Sequence, residues 1–152
     1  MTNEMAESFS ARGFTQGMSK IEVEDLSRKE GFKITIENSG VWGIKRGNKS
    51  FAFLDFCKKK LTRLSYIVDG GLMKFLSVIE DFTKSGGFEP MTADTSTFVG
   101  YDSMRHGSLT LYLHRKTDKY FIEFILFGQE KYDVTNSQVS FVEKGWKPNC
   151  GR

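Results

Sequence analysis

The chain has 152 residues, of which 39% are hydrophobic and 27% charged, and its net charge is +3. This length and hydrophobic content suffice for a packed core without metals or disulfides, which excludes an intrinsically disordered protein. The longest apolar stretch, 121–127, is far too short to cross a bilayer, and the N-terminal residues lack a secretory signal pattern. Two widely separated cysteines, Cys57 and Cys150, fit a reducing compartment, so we expect a cytoplasmic protein that does not associate with membranes.

The N-terminal residues 1–18 are rich in Ser, Gly, Met and Gln and show no periodicity. We therefore expect a flexible leader over 1–18, followed by a single domain over 19–152. Ser19 and Glu22 have the spacing of a capping box, which predicts a short helix that ends at Gly31. A strand through Ile21 and Val23 is the alternative for this segment.

A β-meander is predicted over residues 32–68. Apolar and polar residues alternate over 32–37, 41–46, 49–57 and 61–68, and Gly47-Asn48 has the composition of a tight hairpin turn. The cross-strand partners expected in that hairpin are Arg46 with Lys49, Ile44 with Phe51, and Trp42 with Phe53. All the apolar partners would then share one face of the ribbon.

The second half of the chain contains the clearest helix signal, an apolar stripe at helical spacing that predicts an amphipathic helix over about 72–84. Residues 88–108 are expected to form a loop with at most one short strand near 98–101. A second hairpin is predicted from 109–113 and 120–127, and a last strand around 139–142 is expected to leave a poorly protected sheet edge. The predicted fold is therefore α+β: antiparallel hairpins packed against one main amphipathic helix (about 72–84), with a short N-terminal helix.

Basic residues supply the main functional signal. Between Lys33 and Arg63 there are eight basic residues and two acidic ones, interspersed with aromatic side chains. This mixture is typical of proteins that bind the phosphate backbone of nucleic acid, although lysines also protect strand ends from edge pairing. Successive turns of a meander lie at opposite ends of the sheet, so a ligand that reaches both basic turns must follow the strands. The candidate nucleic-acid-binding residues are Lys45, Arg46, Lys49, Lys58, Lys59, Lys60, Arg63, Arg115, Lys116 and Lys119.

The sequence thus favours a small non-enzymatic binding or regulatory module whose partner is nucleic acid. One alternative is a protein-binding regulator or inhibitor that acts through a sheet edge or as a homodimer. Another is a small nuclease in which His106 or His114 is the acid or base and Arg105, Arg115 or Glu123 steadies the phosphate. A solvated histidine at a hairpin end explains His114 equally well without catalysis.

Neither a metal site nor a cofactor site is predicted. The two histidines and two cysteines lack the close spacing of zinc ligands, and the glycine pairs at 70–71 and 86–87 match neither the dinucleotide fingerprint nor the P-loop. Cys57 precedes three lysines that would lower the pKa of a thiol, and a pairing of Cys57 with a histidine would make a nucleophile. The simpler interpretation of Cys57 is a small residue at a strand end, with Cys150 an incidental reactive thiol.

Overall fold

The structure, a computed structural model, describes residues 6–130, 132–148 and 150, without the side chains of residues 132–135. It has ten strands and two helices in this described part of the chain. In chain order they are β1 (Ser10–Ala11), β2 (Phe14–Thr15), α1 (Lys20–Glu30), β3 (Lys33–Ile36), β4 (Trp42–Arg46), β5 (Lys49–Cys57), β6 (Lys60–Ile67), α2 (Gly71–Thr83), β7 (Thr92–Val99), β8 (Arg105–His114), β9 (Tyr120–Gln129) and β10 (Tyr132–Glu143).

Eight of the strands form one sheet in the order β3-β4-β5-β6-β10-β9-β8-β7, and β1 pairs with β2 in a separate two-stranded sheet. The pairs β3–β4, β4–β5, β5–β6 and β7–β8 are antiparallel. A mostly antiparallel sheet with two helices is an α+β architecture, as predicted. The element order also repeats, because each helix is followed by four strands; the sequence shows no matching repeat.

Helix α1 begins and ends where the sequence predicts. The Ser19 hydroxyl accepts a hydrogen bond from the Glu22 backbone N–H at 3.1 Å, and the Glu22 carboxylate accepts one from the Ser19 backbone N–H at 3.2 Å. Gly31 ends the helix in the left-handed conformation, with φ of 75°. Because Val23 is fully buried on this helix, the alternative of a strand through Ile21 and Val23 is wrong.

Helix α2 matches the predicted range to within one residue at each end. Phe75 is 2% exposed, and the rings of Phe75 and Phe82 lie 6.5 and 5.6 Å from the ring of Phe124 in β9. Leu72 and Leu76, which the helical spacing places on the same stripe, remain 45% and 47% exposed. The apolar stripe of α2 is therefore only partly covered.

The hairpin of β4 and β5 follows the predicted register only at its tip, where Arg46 lies opposite Lys49. A β-bulge between Ile44 and Lys45 then shifts the pairing by one residue, so that Trp42 lies opposite Leu54. Because side chains alternate between the two faces of a strand, Trp42 and Phe53 lie on opposite faces, and the predicted pairing is wrong.

The residue that the bulge inserts is Phe51, since Ile44 pairs with Ala52 and Lys45 with Ser50. Ala52, Leu54 and Phe56 consequently form the buried face of β5, while Phe51 and Phe53 are half-buried on the other side. The predicted pairing of Ile44 with Phe51 is wrong for the same reason.

Two predictions about the second half need correction. Residues 92–99 form strand β7, although a loop was expected there; all eight are exposed, so no hydrophobic alternation marks the strand. Val139, expected near a sheet edge, is fully buried in β10, which lies between β6 and β9. The outermost strands of the large sheet are instead β3 and β7.

The described residues divide into two compact units: unit 1 comprises 6–66, 117–121, 141–148 and 150, and unit 2 comprises 67–116, 122–130 and 132–140. Part of the predicted leader, 1–5, lies outside the described residues. The remainder carries Phe9 and Phe14, both fully buried, and the ring of Phe9 lies 5.8 Å from those of Tyr120 and Phe141. Residues 6–18 therefore contribute to the core of unit 1.

Within unit 1, Cys57 and Cys150 form a disulfide, with Cα atoms 5.2 Å apart. The expectation of two free thiols is wrong, because both sulfurs belong to this disulfide. Neither sulfur can act as a nucleophile in this state. A separation of 93 residues carries no spacing signal from which the pairing could be read.

Candidate nucleic-acid interface

The strand register opposes basic side chains in two pairs at one end of unit 1, and alternation along β4 places the two pairs on opposite faces of the sheet. Lys33 lies directly opposite Lys45 on β3 and β4, and Arg46 lies directly opposite Lys49 on β4 and β5. Like charges in directly opposed positions destabilise an antiparallel pair. All four side chains are exposed, and none forms an ion pair within the described part of the chain. We call these four residues the basic end.

A cleft of about 340 Å³ adjoins the basic end, lined by Arg12, Arg46, Phe32 and Phe51 together with one acidic residue, Glu30. The two phenylalanine rings lie 4.9 Å apart. The cleft therefore combines two guanidinium groups with aromatic rings in one surface depression.

Arg12 is held in place by its backbone and by ring contacts. It occupies the turn between β1 and β2 with φ of 54°, a left-handed conformation that is uncommon for a residue other than glycine. Its guanidinium carbon lies 5.0 Å from the ring centre of Phe51 and 4.3 Å from that of Tyr66. Cation–π attraction at these distances holds the guanidinium in the lining of the cleft.

A second basic group occupies the turn between β5 and β6. Lys58 and Lys59 both have positive φ, 51° and 66°, a turn conformation normally taken by Asn and Gly. Both lysines and the following Lys60 are exposed. Strand β5 separates this turn from the basic end by roughly 26 Å, because its nine residues are joined by eight steps of about 3.3 Å.

The remaining predicted residues serve other contacts. The guanidinium of Arg63 lies 4.9 Å from the ring of Trp146 in unit 1. In unit 2, Arg115 donates hydrogen bonds to the Gly86 carbonyl at 3.0 Å and the Ser85 hydroxyl at 2.7 Å, and Lys116 lies 3.8 Å from Glu89. The side chain of Lys119 is exposed, while its backbone N–H donates to Glu7. Arg115 and Lys116 thus belong to unit 2, and the other eight predicted residues to unit 1.

The two histidines occupy different settings in unit 2. The His106 Nε2 atom lies 3.1 Å from Asp102 Oδ1, and its ring stacks on Phe98 with ring centres 5.1 Å apart. This hydrogen bond is the main reason that the pKa of Asp102 is lowered from its usual value near 3.8. A Cβ atom at Gly100 would lie only 2.7 Å from Nε2, so the pair requires glycine there. His114 is half-buried, and its carbonyl accepts a hydrogen bond from the Glu89 backbone N–H.

Sequence reasoning missed Arg12 and the Asp102–His106 pair. The pair had an available signal, because Asp102 and His106 flank a polar turn four residues apart. Arg12 had none, since its place in the cleft depends on the tertiary packing of residues 6–18. Among the residues whose positions are described, no cluster of His, Cys, Asp and Glu is suited to hold a metal ion.

No family model, curated protein or solved structure matches this chain. Neither helix of the described residues has the length and hydropathy needed to span a membrane.

Proposed function

We propose that the protein is a non-enzymatic module that binds the phosphate backbone of nucleic acid, with the basic end as its principal contact. The observation that carries this proposal is the two pairs of opposed like charges, Lys33 with Lys45 and Arg46 with Lys49. Each pair opposes folding, and a phosphate placed between the two charges would relieve the repulsion and release counterions.

The aromatic cleft favours single-stranded nucleic acid as the ligand. Bases unstacked from a single strand gain about 1–3 kcal/mol by stacking on aromatic side chains, and arginine adds a cation–π contribution. Phe32 and Phe51 present such rings beside Arg12 and Arg46. Because lysines contact phosphates as point charges, we expect affinity that depends strongly on salt and weakly on sequence.

The turn of Lys58 and Lys59 is the proposed second contact. A single strand that follows β5 from the basic end would reach this turn after roughly 26 Å. Lysines at two positive-φ positions reduce stability relative to Asn and Gly, so their charge is the feature that explains their presence there.

The test uses the double variant Lys33→Glu/Lys49→Glu, which converts both like-charge pairs into opposite-charge pairs. The free energy of unfolding should rise by about 0.2–1 kcal/mol per pair, so weakened binding is not attributable to unfolding. The affinity for labelled single-stranded RNA or DNA, measured by fluorescence anisotropy over a salt series, should fall at least tenfold. The slope of log K against log salt should fall by about 1.4, which corresponds to two lost phosphate contacts.

The matched control is Lys74→Glu/Lys84→Glu, which changes the net charge equally at two exposed positions of unit 2, one in α2 and one directly after it. It should bind nearly as tightly as the wild-type protein. Equal affinities and salt slopes for the wild-type protein and the Lys33/Lys49 variant would eliminate the basic end as the contact.

A nuclease is the second candidate, and the Asp102–His106 pair is the observation that favours it. Incubation of the same oligonucleotides with the protein distinguishes the two functions. A nuclease cleaves them and loses that activity in the folded His106→Ala variant, whereas a binding module leaves the strands intact.

A further inference from the structure

Strand β7 forms an unusually unprotected edge of the large sheet. It is the outermost strand on its side, and all eight of its residues are exposed, including Phe98 at 61% and Val99 at 67%. Its one charged residue is Asp94, whereas the opposite edge, β3, is only four residues long and begins with Lys33. Edge strands are normally kept short or charged because their free backbone groups otherwise pair with another strand.

The hydrogen bonds around Arg105 show which backbone groups of β7 point outward. The Arg105 N–H donates to the Glu130 carboxylate and its carbonyl accepts from the Glu130 N–H, so both groups point away from β7. Val99 lies opposite Arg105 in the β7–β8 ladder. When two opposed residues of an antiparallel ladder do not hydrogen-bond to each other, the N–H and C=O groups of both point away from the partner strand. The N–H and C=O groups of Val99 therefore face the open edge.

Alternation along the strand extends this assignment to three further residues, Ala93, Thr95 and Thr97. The Gly100 N–H donates to the Met104 carbonyl across the turn, so Gly100 bonds toward β8 and the preceding Val99 points away from it, as the alternation requires. The open edge thus offers four N–H and four C=O groups in regular spacing.

We propose that this edge pairs with β7 of a second copy of the chain, antiparallel, with Ser96 on the two-fold axis. In this register, each of the four residues whose N–H and C=O groups face the open edge lies opposite another such residue of the second copy. This gives about eight interchain hydrogen bonds. The resulting pairs are Ala93 with Val99, Asp94 with Phe98, and Thr95 with Thr97 of the second copy.

The side chains of β7 are compatible with this self-pairing. Asp94 lies opposite Phe98 and not opposite its own copy, so no like charges meet, and two Thr95–Thr97 pairs gain the favourable contact of opposed threonines. Centring the axis on Asp94 would oppose two carboxylates, and centring it on Thr95 would use three of the four outward residues. The side chains of β7 are therefore complementary to those of β7 in a second copy of the chain.

Thr97→Pro tests the pairing. Proline removes an N–H that points away from β8, so the β7–β8 ladder keeps its hydrogen bonds. The dimer loses two of its interchain hydrogen bonds, one from each chain, and the proline ring obstructs the approach of the second strand. In sedimentation equilibrium, the wild-type protein should be a dimer, and Thr97→Pro should be a monomer with an unchanged circular dichroism spectrum. Thr97→Ala, which retains the N–H, should remain a dimer; a monomeric wild-type protein, or a dimer that Thr97→Pro leaves intact, overturns the inference.

Ser96 tests the register. Ser96→Lys and Ser96→Asp should each weaken the dimer several-fold because like charges meet on the axis, and mixing the two variants should restore it. If the axis lay at Thr95, the new lysine would face Asp94 and tighten the dimer, which would refute the register proposed here. Thr92→Lys, on the same face but away from the axis, is the control and should leave the dimer unchanged.

This inference does not rest on nucleic-acid binding. The residues that carry it lie in unit 2, whereas the basic end lies in unit 1. Monomeric Thr97→Pro should therefore retain the binding of each chain to a short oligonucleotide, and the Lys33→Glu/Lys49→Glu variant should retain the dimer.

Discussion

The carboxylate of Glu22 is the clearest case of a single residue whose protonation is linked to folding. The backbone N–H of Ser19 is the main cause of its lowered pKa, and the Ser19 side chain and the charge of Lys60 add to the effect. All three favour the ionised form, so the pKa of Glu22 in the folded protein lies below the usual 4.5.

A group whose pKa is lowered by folding stabilises the protein above its unfolded pKa and loses that contribution as the pH falls through its folded pKa. We expect Glu22→Gln, which keeps the shape but not the charge, to be less stable than the wild-type protein at pH 7. The difference should shrink below about pH 4.5, as measured by urea unfolding over a pH series. A difference that does not change with pH would show that the charge of Glu22 makes no contribution.

The position of Arg12 in the cleft could not be predicted from its local sequence. Lys45, Arg46 and Lys49 were identified from local charge and turn composition alone, because lysine and arginine beside a Gly-Asn turn are exposed in almost any hairpin. Arg12 has no such local signal, and it reaches Phe51 only because residues 6–18 pack into the core of unit 1. The local half of the candidate site was therefore predictable, and the half that depends on tertiary packing was not.

At the scale of elements, both helices and the strands β3 to β6 lie within about two residues of their predicted ranges, because periodicity and caps mark them. Strand β7 escaped prediction because Thr92–Val99 has no buried face and hence no alternation. The bulge at Phe51 could not be predicted for a different reason. An apolar residue at that position fits both the regular register and the bulged register that the structure shows.

The turn between β5 and β6 yields a prediction at this scale. Lys58→Asn/Lys59→Gly places residues that favour positive φ in that turn, so the free energy of unfolding should rise by about 1–2 kcal/mol. Lys58→Ala/Lys59→Ala removes the same charges without relieving the backbone strain, and should not stabilise the protein.

Urea unfolding measures the stability of both turn variants, and the anisotropy assay measures their binding. If the turn is the second phosphate contact, both should lower the salt slope equally. An unaltered slope in both variants would restrict the interface to the basic end and the cleft.

For the molecule as a whole, the order of the strands in the sheet could not be predicted from the sequence. Local patterns identify hairpins, but the position of β10 between β6 and β9 depends on pairings between residues distant in sequence. The expectation of a weakly protected edge near Val139 failed because the strand identified there is central and buried.

The disulfide gives a prediction for the whole chain. Closing a loop with a sequence separation of 93 removes unfolded-state entropy worth about 4–5 kcal/mol in the chain-entropy model. Reduction, or Cys57→Ser/Cys150→Ser, should lower the free energy of unfolding by up to that amount, as measured by guanidinium denaturation with and without reductant. A loss well below 1 kcal/mol would mean that the bridge places little constraint on the unfolded chain.

The same bridge bears on the compartment, since a protein that acts in the cytoplasm, as the sequence predicts, would carry two thiols there. Alkylation of free thiols during cell lysis, before air can oxidise them, reports whether Cys57 and Cys150 are reduced or bridged in vivo.

Because the bridge joins residues 57 and 150, all of unit 2 belongs to a covalently closed loop. A protease that cuts the exposed segment around Gly86 and Gly87 opens one peptide bond but releases no fragment. The nicked protein would migrate as one band on a non-reducing gel and as two once reductant is added, so apparent resistance to proteolysis in oxidising buffer can conceal a broken backbone.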